Sequence, residues 1–119
     1  MLNDATGFKH IYVAVGYTDL RGGIDRLVSK IKYEFDQDPY EEGSIFLFCG
    51  RRTDRIKAVT YEGDGWLLLY KRLSGEGRFQ WPRNSEEAIT ITPDQFRWLM
   101  QGLSIEQKKA IKKVLPTVI

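Results

Sequence analysis

The chain has 119 residues, of which 42% are hydrophobic and 29% are charged, and its formal net charge is +2. This composition is typical of a globular domain and excludes an intrinsically disordered chain. A lone cysteine excludes a disulfide-stapled fold, no apolar run approaches the roughly 18 residues of a membrane helix, and the N-terminus lacks a signal-peptide profile. We therefore expect one cytoplasmic domain over residues 1–119, without membrane contact and with flexible ends at 1–8 and 114–119.

The first part of the chain predicts a strand, a helix and a second strand. Residues 10–16 (HIYVAVG) are β-branched and aromatic, as strand residues are. Apolar residues recur at helical spacing over residues 22–36, which indicates an amphipathic helix that ends before Asp38-Pro39. Residues 44–49 (SIFLFC) are apolar after the serine, which is typical of a central strand covered on both faces.

A hairpin follows, and then a second turn. Residues 55–62 and 66–73 form two apolar runs on either side of Gly63-Asp64-Gly65, and Asp-Gly between apolar runs is a strong hairpin signal. Residues 74–77 (SGEG) predict a turn into another short strand over residues 78–81, which Pro82 ends.

The last part of the chain predicts one more strand, over residues 88–92, and then helices. Thr92-Pro93-Asp94-Gln95 contains a helix cap, a first-turn proline and a capping-box glutamine, and Gly102 marks the end of that helix. Ser104 and Gln107 repeat the capping box before a final lysine-rich helix. The order of elements predicts an α+β fold: a mostly antiparallel sheet of five to six strands, one early crossover helix and C-terminal helices.

The small net charge hides an uneven distribution. Residues 51–83 carry eight basic and four acidic side chains, whereas residues 1–43 carry five basic and eight acidic ones. The central third of the chain is therefore the cationic part, which indicates an anionic partner.

The register of the hairpin decides which side chains share a face. Burying Ile56 and Ala58 beside Leu67 and Leu69 requires Tyr61 to pair with the first residue of the second strand, through a two- or four-residue loop. A three-residue loop would break the grouping, because a slip of one residue turns every side chain to the other face. With the expected pairing, the opposite face gathers Arg55, Lys57, Tyr61, Trp66, Tyr70 and Arg72.

A sheet face that mixes cations with aromatic rings suits nucleic acid, because the cations neutralise phosphates and the rings stack on unpaired bases. The predicted nucleic-acid-binding residues are this face, the two turn arginines and the neighbouring lysine: Arg51, Arg52, Arg55, Lys57, Tyr61, Trp66, Tyr70, Lys71 and Arg72. The alternative is structural: the face packs under the C-terminal helix, with its long cationic side chains reaching the rim.

Catalytic chemistry has little support in the sequence. With one histidine, His10, and one cysteine, Cys49, a His/Cys metal site is not expected, and no cofactor is predicted. Asp54, Glu62 and Asp64 are close enough in sequence to be considered as magnesium ligands of a nuclease. Turn formation and ion pairing are the preferred interpretation of these three carboxylates, so we predict no catalytic or metal-binding residue.

Four segments resemble a known family. They are TDLRGGIDRL (18–27), IFLFCGRRTDRIKAVTYEGDGWLLLYKRL (45–73), GRFQWPR (77–83) and FRWLMQGLSIEQKK (96–109). They are similar to the TnpB accessory proteins of insertion sequence family 66, the products of the second reading frame of these elements, over roughly residues 10–113. Two positions depart from the family pattern: Gly22 stands where lysine is frequent, and Trp66 stands where phenylalanine is common.

The resemblance implies an accessory role in transposition beside a separate transposase, and it supplies no catalytic residue. The leading hypothesis is a non-catalytic factor that binds DNA through its basic hairpin region. The alternative is a protein–protein adaptor that docks on the transposase or on another protein of the element. An enzyme ranks third. The oligomeric state does not follow from the sequence.

Overall fold

The computed structural model describes residues 2–4, 6–85, 87–107 and 111. Its strands are β1 His10–Ala14, β2 Ser44–Cys49, β3 Arg55–Tyr61, β4 Trp66–Arg72 and β5 Ala88–Ile91. Its helices are a 3₁₀ turn at Leu2–Asp4, α1 Ile24–Ser29 with a π-helical continuation at Lys30–Glu34, and α2 Pro93–Met100. The predicted α+β class is confirmed. No helix in the described part of the chain has the length and apolarity that crossing a membrane requires.

All five strands belong to one sheet, in the order β4-β3-β2-β1-β5. β1 and β2 are parallel, and the other three pairs are antiparallel. A parallel pair needs a connection that crosses back over the sheet, and α1 with its π-helical end provides it. The mostly antiparallel sheet with an early crossover helix is therefore confirmed.

β2 is the centre of the molecule, and every one of its residues is buried. Its alternate side chains contribute to two separate cores, one on each face of the sheet. Ile45 and Leu47 pack on the face covered by α2, whereas Phe46 and Phe48 pack on the face covered by α1. This double burial explains why the strand reads as an uninterrupted apolar run.

The start of α2 has the predicted capping box. The Thr92 hydroxyl accepts a hydrogen bond from the Gln95 backbone N–H at 3.1 Å, and the Gln95 side-chain oxygen accepts one from the Thr92 N–H at 2.8 Å. The apolar stripe of the helix, including Phe96 and Leu99, is buried against the sheet. Gly102 follows the helix with φ +80°, a backbone conformation that favours glycine, as expected for a helix end.

The predicted strand at residues 78–81 is wrong. Phe79 and Trp81 alternate as strand residues do and both are buried, but the backbone of this segment joins no strand. The Phe79 N–H instead donates to the Thr53 carbonyl at 2.7 Å, and the Trp81 indole N–H donates to the Ala14 carbonyl at 2.8 Å. The segment carries the chain from β4, at one edge of the sheet, to β5 at the other, so its apolar residues anchor a crossing loop.

Two helix predictions need correction at their ends. The helix predicted over residues 22–36 begins at Ile24 and widens into a π-helical turn, in which the Phe35 N–H donates to the Lys30 carbonyl. Ser104 and Gln107 do not form a capping box, because the serine hydroxyl accepts from the Glu106 N–H. The predicted final helix and the predicted flexible end at 114–119 fall almost entirely outside the described residues.

Candidate nucleic-acid interface

The β3–β4 hairpin has the predicted register. Tyr61 pairs with Trp66 and Ala58 pairs with Leu69, around a four-residue loop that the Glu62 N–H closes by donating to the Gly65 carbonyl at 2.8 Å. The alternating faces are therefore those that the hydrophobic pattern predicts.

The structural alternative requires the C-terminal helix to cover the face of cations and aromatics. In the structure, α2 lies on the opposite face of the hairpin. α2 packs through Phe96 on the face of Ile56 and Ala58, so it does not cover the face of cations and aromatics. The middle of that second face is instead covered by α1, whose Leu27 shares a core with Val59. Because α1 buries the middle of this face, the two ends of the face lie in different environments.

One end holds the aromatic residues of the hairpin tip. The ring centres of Tyr61 and Trp66 lie 5.2 Å apart. The centre of the Tyr40 ring lies 5.2 Å from that of Tyr61 and 4.8 Å from that of Trp66. The Trp66 indole N–H donates to the Pro39 carbonyl at 3.2 Å. We call Tyr40, Tyr61 and Trp66 the aromatic trio. Tyr61 lies about 13 Å along β3 from Lys57, at roughly 3.3 Å per residue.

The other end opens onto a cleft of about 860 Å³. Its floor is formed by β3 and β4, and its walls are the loop after β1 and the turn between β2 and β3. We call this space the basic cleft; it is lined by residues 17–21, residues 50–52, Arg55, Lys57 and Tyr70. Five of the nine predicted site residues therefore meet there, and the two hairpin-tip aromatics do not.

The two turn arginines lie on one wall of the basic cleft, and both are exposed. The Arg51 guanidinium donates to the Tyr17 hydroxyl at 2.6 Å and lies 4.4 Å from the centre of the same ring. This contact fixes the turn against the loop after β1. Arg52 has no carboxylate within 4 Å among the residues that the structure places.

Arg55 lies on the floor of the basic cleft, and it forms an ion pair with Asp54. Its guanidinium donates to both carboxylate oxygens of Asp54, at 2.8 and 3.2 Å. This hydrogen-bonded pair lowers the pKa of Asp54 from its ordinary 3.8 to about 2 and raises the pKa of Arg55. Asp54 therefore stays ionised and offsets part of the charge of Arg55.

Lys57 forms its hydrogen bonds within the protein. Its ammonium donates to the Leu20 carbonyl and, at 3.1 Å, to the Gly22 carbonyl, and it lies 5.7 Å from the centre of the Tyr70 ring. An ammonium has three N–H donors, so two of them are already used. Lys57 holds the loop after β1 against β3 and shapes the basic cleft.

The last two predicted cations lie on opposite faces of β4. Arg72 is exposed and pairs with Arg55 across the hairpin, so it lies on the face of the basic cleft. Lys71 pairs with Ile56 and lies on the other face, where its ammonium donates to the Asn3 side chain. The structure therefore separates Lys71 from the remaining cations.

The loop after β1 is interpreted from the sequence as a helix entry, and its residues are not among the predicted site residues. Tyr17 is 52% exposed and lines the basic cleft, as do Asp19 and Arg21. Asp19 accepts hydrogen bonds from the Arg21 guanidinium at 2.8 to 3.2 Å and from the Arg21 N–H, and this pairing holds its pKa well below its usual range. The signal in the sequence was the TDLRGG segment, whose importance appears only when β1 lies beside β2.

The three carboxylates considered as metal ligands do not meet. Asp54 precedes β3, whereas Glu62 and Asp64 follow it, and a seven-residue strand spans about 23 Å. Among the residues that the structure describes, no three histidine, cysteine or carboxylate side chains are grouped as a metal site.

Comparison with known proteins identifies the family. The chain is similar to two proteins of Sinorhizobium fredii that are described as uncharacterized: y4hO, with 34% identity over 93 residues (78% of this chain and 79% of that one), and y4jC, with 31% identity over 119 residues (100% and 99%). No solved structure is significantly similar to it. A family model described as "IS66 Orf2 like protein" matches residues 9–110. The chain therefore belongs to the IS66 Orf2-like family, and its role is that of an insertion-sequence accessory protein.

Proposed function

We propose that the protein binds the phosphate backbone of DNA at the basic end of its hairpin, as a non-catalytic accessory factor in transposition of its element. One observation carries the proposal: the fold gathers four arginines around one end of the sheet. They are Arg51, Arg52, Arg55 and Arg72, on the rim or floor of the basic cleft and on the adjoining strand.

The arrangement of these arginines favours an anionic ligand. Arg55 and Arg72 are direct neighbours across the hairpin, and like charges in this position repel each other. Asp54 offsets only one of them, and it is already held by Arg55. Phosphate groups would relieve the repulsion and take charge-assisted hydrogen bonds from guanidinium groups, which are suited to phosphate geometry.

A non-catalytic role agrees with the ion pairing of the nearby carboxylates. Asp54 is committed to Arg55, and Asp19 is committed to Arg21. Each of these two carboxylates therefore already has a guanidinium partner. Family membership supports the accessory role, since a separate transposase would carry the catalysis.

The test is a salt titration of DNA binding with variants of Arg52 and Arg72, two exposed arginines at the basic end of the hairpin that have no carboxylate partner in the described part of the chain. The double variant Arg52→Ala/Arg72→Ala should weaken binding to every duplex and reduce the slope of log affinity against log salt by about 1.8, at roughly 0.9 per lost phosphate contact. The control variant Lys32→Ala/Arg97→Ala removes the same charge from exposed positions outside the cleft. Absence of DNA binding by the wild-type protein at low salt would refute the proposal.

A second candidate function, the adaptor, is favoured by the aromatic trio. Tyr40 is 52% exposed and covers the half-buried Tyr61 and Trp66 at the end of the hairpin away from the basic cleft. Exposed clusters of tyrosine and tryptophan are typical of interface hot spots. Co-purification with the transposase from nuclease-treated lysate, lost in Tyr40→Ala and kept in Tyr33→Ala, would support the adaptor.

A further inference from the structure

We infer that the basic cleft binds an unpaired DNA nucleotide, with its base against Tyr17 and Tyr70 and its phosphates on the arginines of the rim. The inference rests on the proposed function and narrows it from DNA in general to single-stranded DNA. It concerns Tyr17, which lies outside the basic hairpin, as well as the hairpin residues.

The shape of the basic cleft favours an unpaired nucleotide over a duplex. The basic cleft is a concavity between a loop, a turn and the sheet, and its 860 Å³ lies within the roughly 300–1,000 Å³ of ligand pockets. A duplex presents a convex backbone and hides the faces of its bases in the stack. An extruded or unpaired nucleotide can enter a concavity of this size, with its base as the leading group.

The two tyrosines are the second argument. Tyr17 and Tyr70 are 52% and 55% exposed, and they reach the cleft from the loop after β1 and from β4. Arg51 and Lys57 already contact these two rings, but about half of each tyrosine remains exposed, so a ligand in the cleft can still cover them. Ring faces bind the π-face of any base, which is accessible only when the base is unpaired.

The charges provide the third argument. The Arg51 guanidinium lies 4.4 Å from the centre of the Tyr17 ring, so a cation and a stacking platform are adjacent, as a base and its own phosphate are. Asp19, the carboxylate among the lining residues, accepts from the backbone N–H and two guanidinium nitrogens of Arg21, so a cation already offsets its charge. The cleft therefore presents cations and rings to a ligand.

The cleft is also preformed. Lys57 ties the loop after β1 to β3, and the Arg51–Tyr17 hydrogen bond ties that loop to the turn between β2 and β3. Both walls are thus fixed relative to the floor before a ligand arrives. A preformed site spares the ligand the entropic cost of ordering the loops.

The experiment compares a labelled single-stranded oligonucleotide of about 12 nucleotides, within the site sizes of single-strand-binding folds, with the duplex of the same sequence. The wild-type protein should bind the single strand at least as tightly as the duplex. Tyr17→Leu and Tyr70→Leu should each weaken single-strand binding about fivefold or more, the loss expected for one stacked base, and should weaken duplex binding by a clearly smaller factor. Tyr33→Leu, which changes a 74% exposed tyrosine outside the cleft, should affect neither.

Conservative variants keep the test independent of folding. Tyr70→Phe retains the ring and should retain single-strand affinity, and a fluorescent adenine analogue in the oligonucleotide should be quenched on binding to Tyr70→Phe but much less on binding to Tyr70→Leu. Preference for the duplex, with both tyrosines dispensable, would overturn this inference and leave the proposed function standing. No binding of either nucleic acid by the wild-type protein would overturn both.

Discussion

Arg55 and Arg72 lie directly opposite each other on the β3–β4 hairpin, on the face that opens towards the basic cleft. Opposite charges at such a position stabilise a hairpin, and like charges destabilise it. The pairing of Arg55 with Asp54 reduces the repulsion, but Arg72 has no carboxylate within 4 Å in the part of the chain that the structure describes. The free protein therefore carries an electrostatic cost where the proposed ligand binds.

Arg72→Gln should make the free protein more stable and a weaker DNA binder. Removing the repulsion should raise the free energy of unfolding by about 0.2–1 kcal/mol, the usual range of a cross-strand pair. Urea denaturation measures the first effect, and a binding titration measures the second. Lys32→Gln is the control for loss of one exposed positive charge, and a lower stability of Arg72→Gln would contradict the prediction.

Lys57→Met should weaken DNA binding indirectly, because it loosens the loop after β1. It should leave the slope of log affinity against log salt unchanged. The ammonium bonds to the Leu20 and Gly22 carbonyls, so its loss should destabilise the fold by about 1–2 kcal/mol and loosen one wall of the cleft. Arg52→Met is the matched comparison, for which the slope should fall by about 0.9. An equal fall of the slope in Lys57→Met would show that Lys57 contacts phosphate.

Stability should fall in acid because of the Asp54–Arg55 pair. The pKa of Asp54 is lowered from 3.8 to about 2, so its stabilising contribution is fully present above about pH 4 and is lost as the pH falls towards 2. Asp54→Asn should flatten this part of the pH dependence of the urea midpoint. Asp19, whose pKa is also lowered, should account for a remaining part. Glu76→Gln, which removes an exposed carboxyl group outside this pair, is the control.

Thr92→Ala should destabilise the protein by about 1 kcal/mol, because it removes the side-chain acceptor of the α2 capping box. Thr92→Ser keeps the hydroxyl and should restore most of the loss. Urea denaturation of the three proteins is sufficient, and equal stability of the alanine and serine variants would show that the cap contributes little.

Cys49 should react with thiol reagents only when the protein unfolds. The thiol lies in the fully buried strand β2, and burial raises its pKa to about 11, so the reactive thiolate is scarce at neutral pH. The labelling rate by an alkylating reagent should rise with urea in parallel with loss of structure. Rapid labelling of the native protein would contradict the burial.

Where a structural signal is local, the sequence was sufficient to predict it. The Asp-Gly turn and the alternation of the flanking runs predict the pairing of Tyr61 with Trp66, which the structure confirms. The capping box at Thr92 predicts the start of α2 in the same way. In both cases the residues that determine the geometry lie within a few positions of one another.

Features that depend on distant contacts escaped prediction. Phe79 and Trp81 have the alternation of a strand, but the Phe79 N–H donates to Thr53 and the Trp81 indole N–H to Ala14, in segments far away in the chain. Tyr17 became a candidate only because β1 and β2 are parallel neighbours, which places the residues after both strands at the same end of the sheet. Periodicity reports burial; it does not report which segment completes a hydrogen bond.

The position of β1 has a consequence for synthesis of the protein. Ile11 pairs with Ile45 on one side and with Ile91 on the other, so the second partner of β1 is made late. Because a chain leaves the ribosome N-terminus first, the nascent protein holds an open strand edge and a core face that still lacks Phe96 and Leu99. Bare edges and uncovered apolar faces promote aggregation, so chains truncated before β5 are the ones that should need chaperones or be degraded.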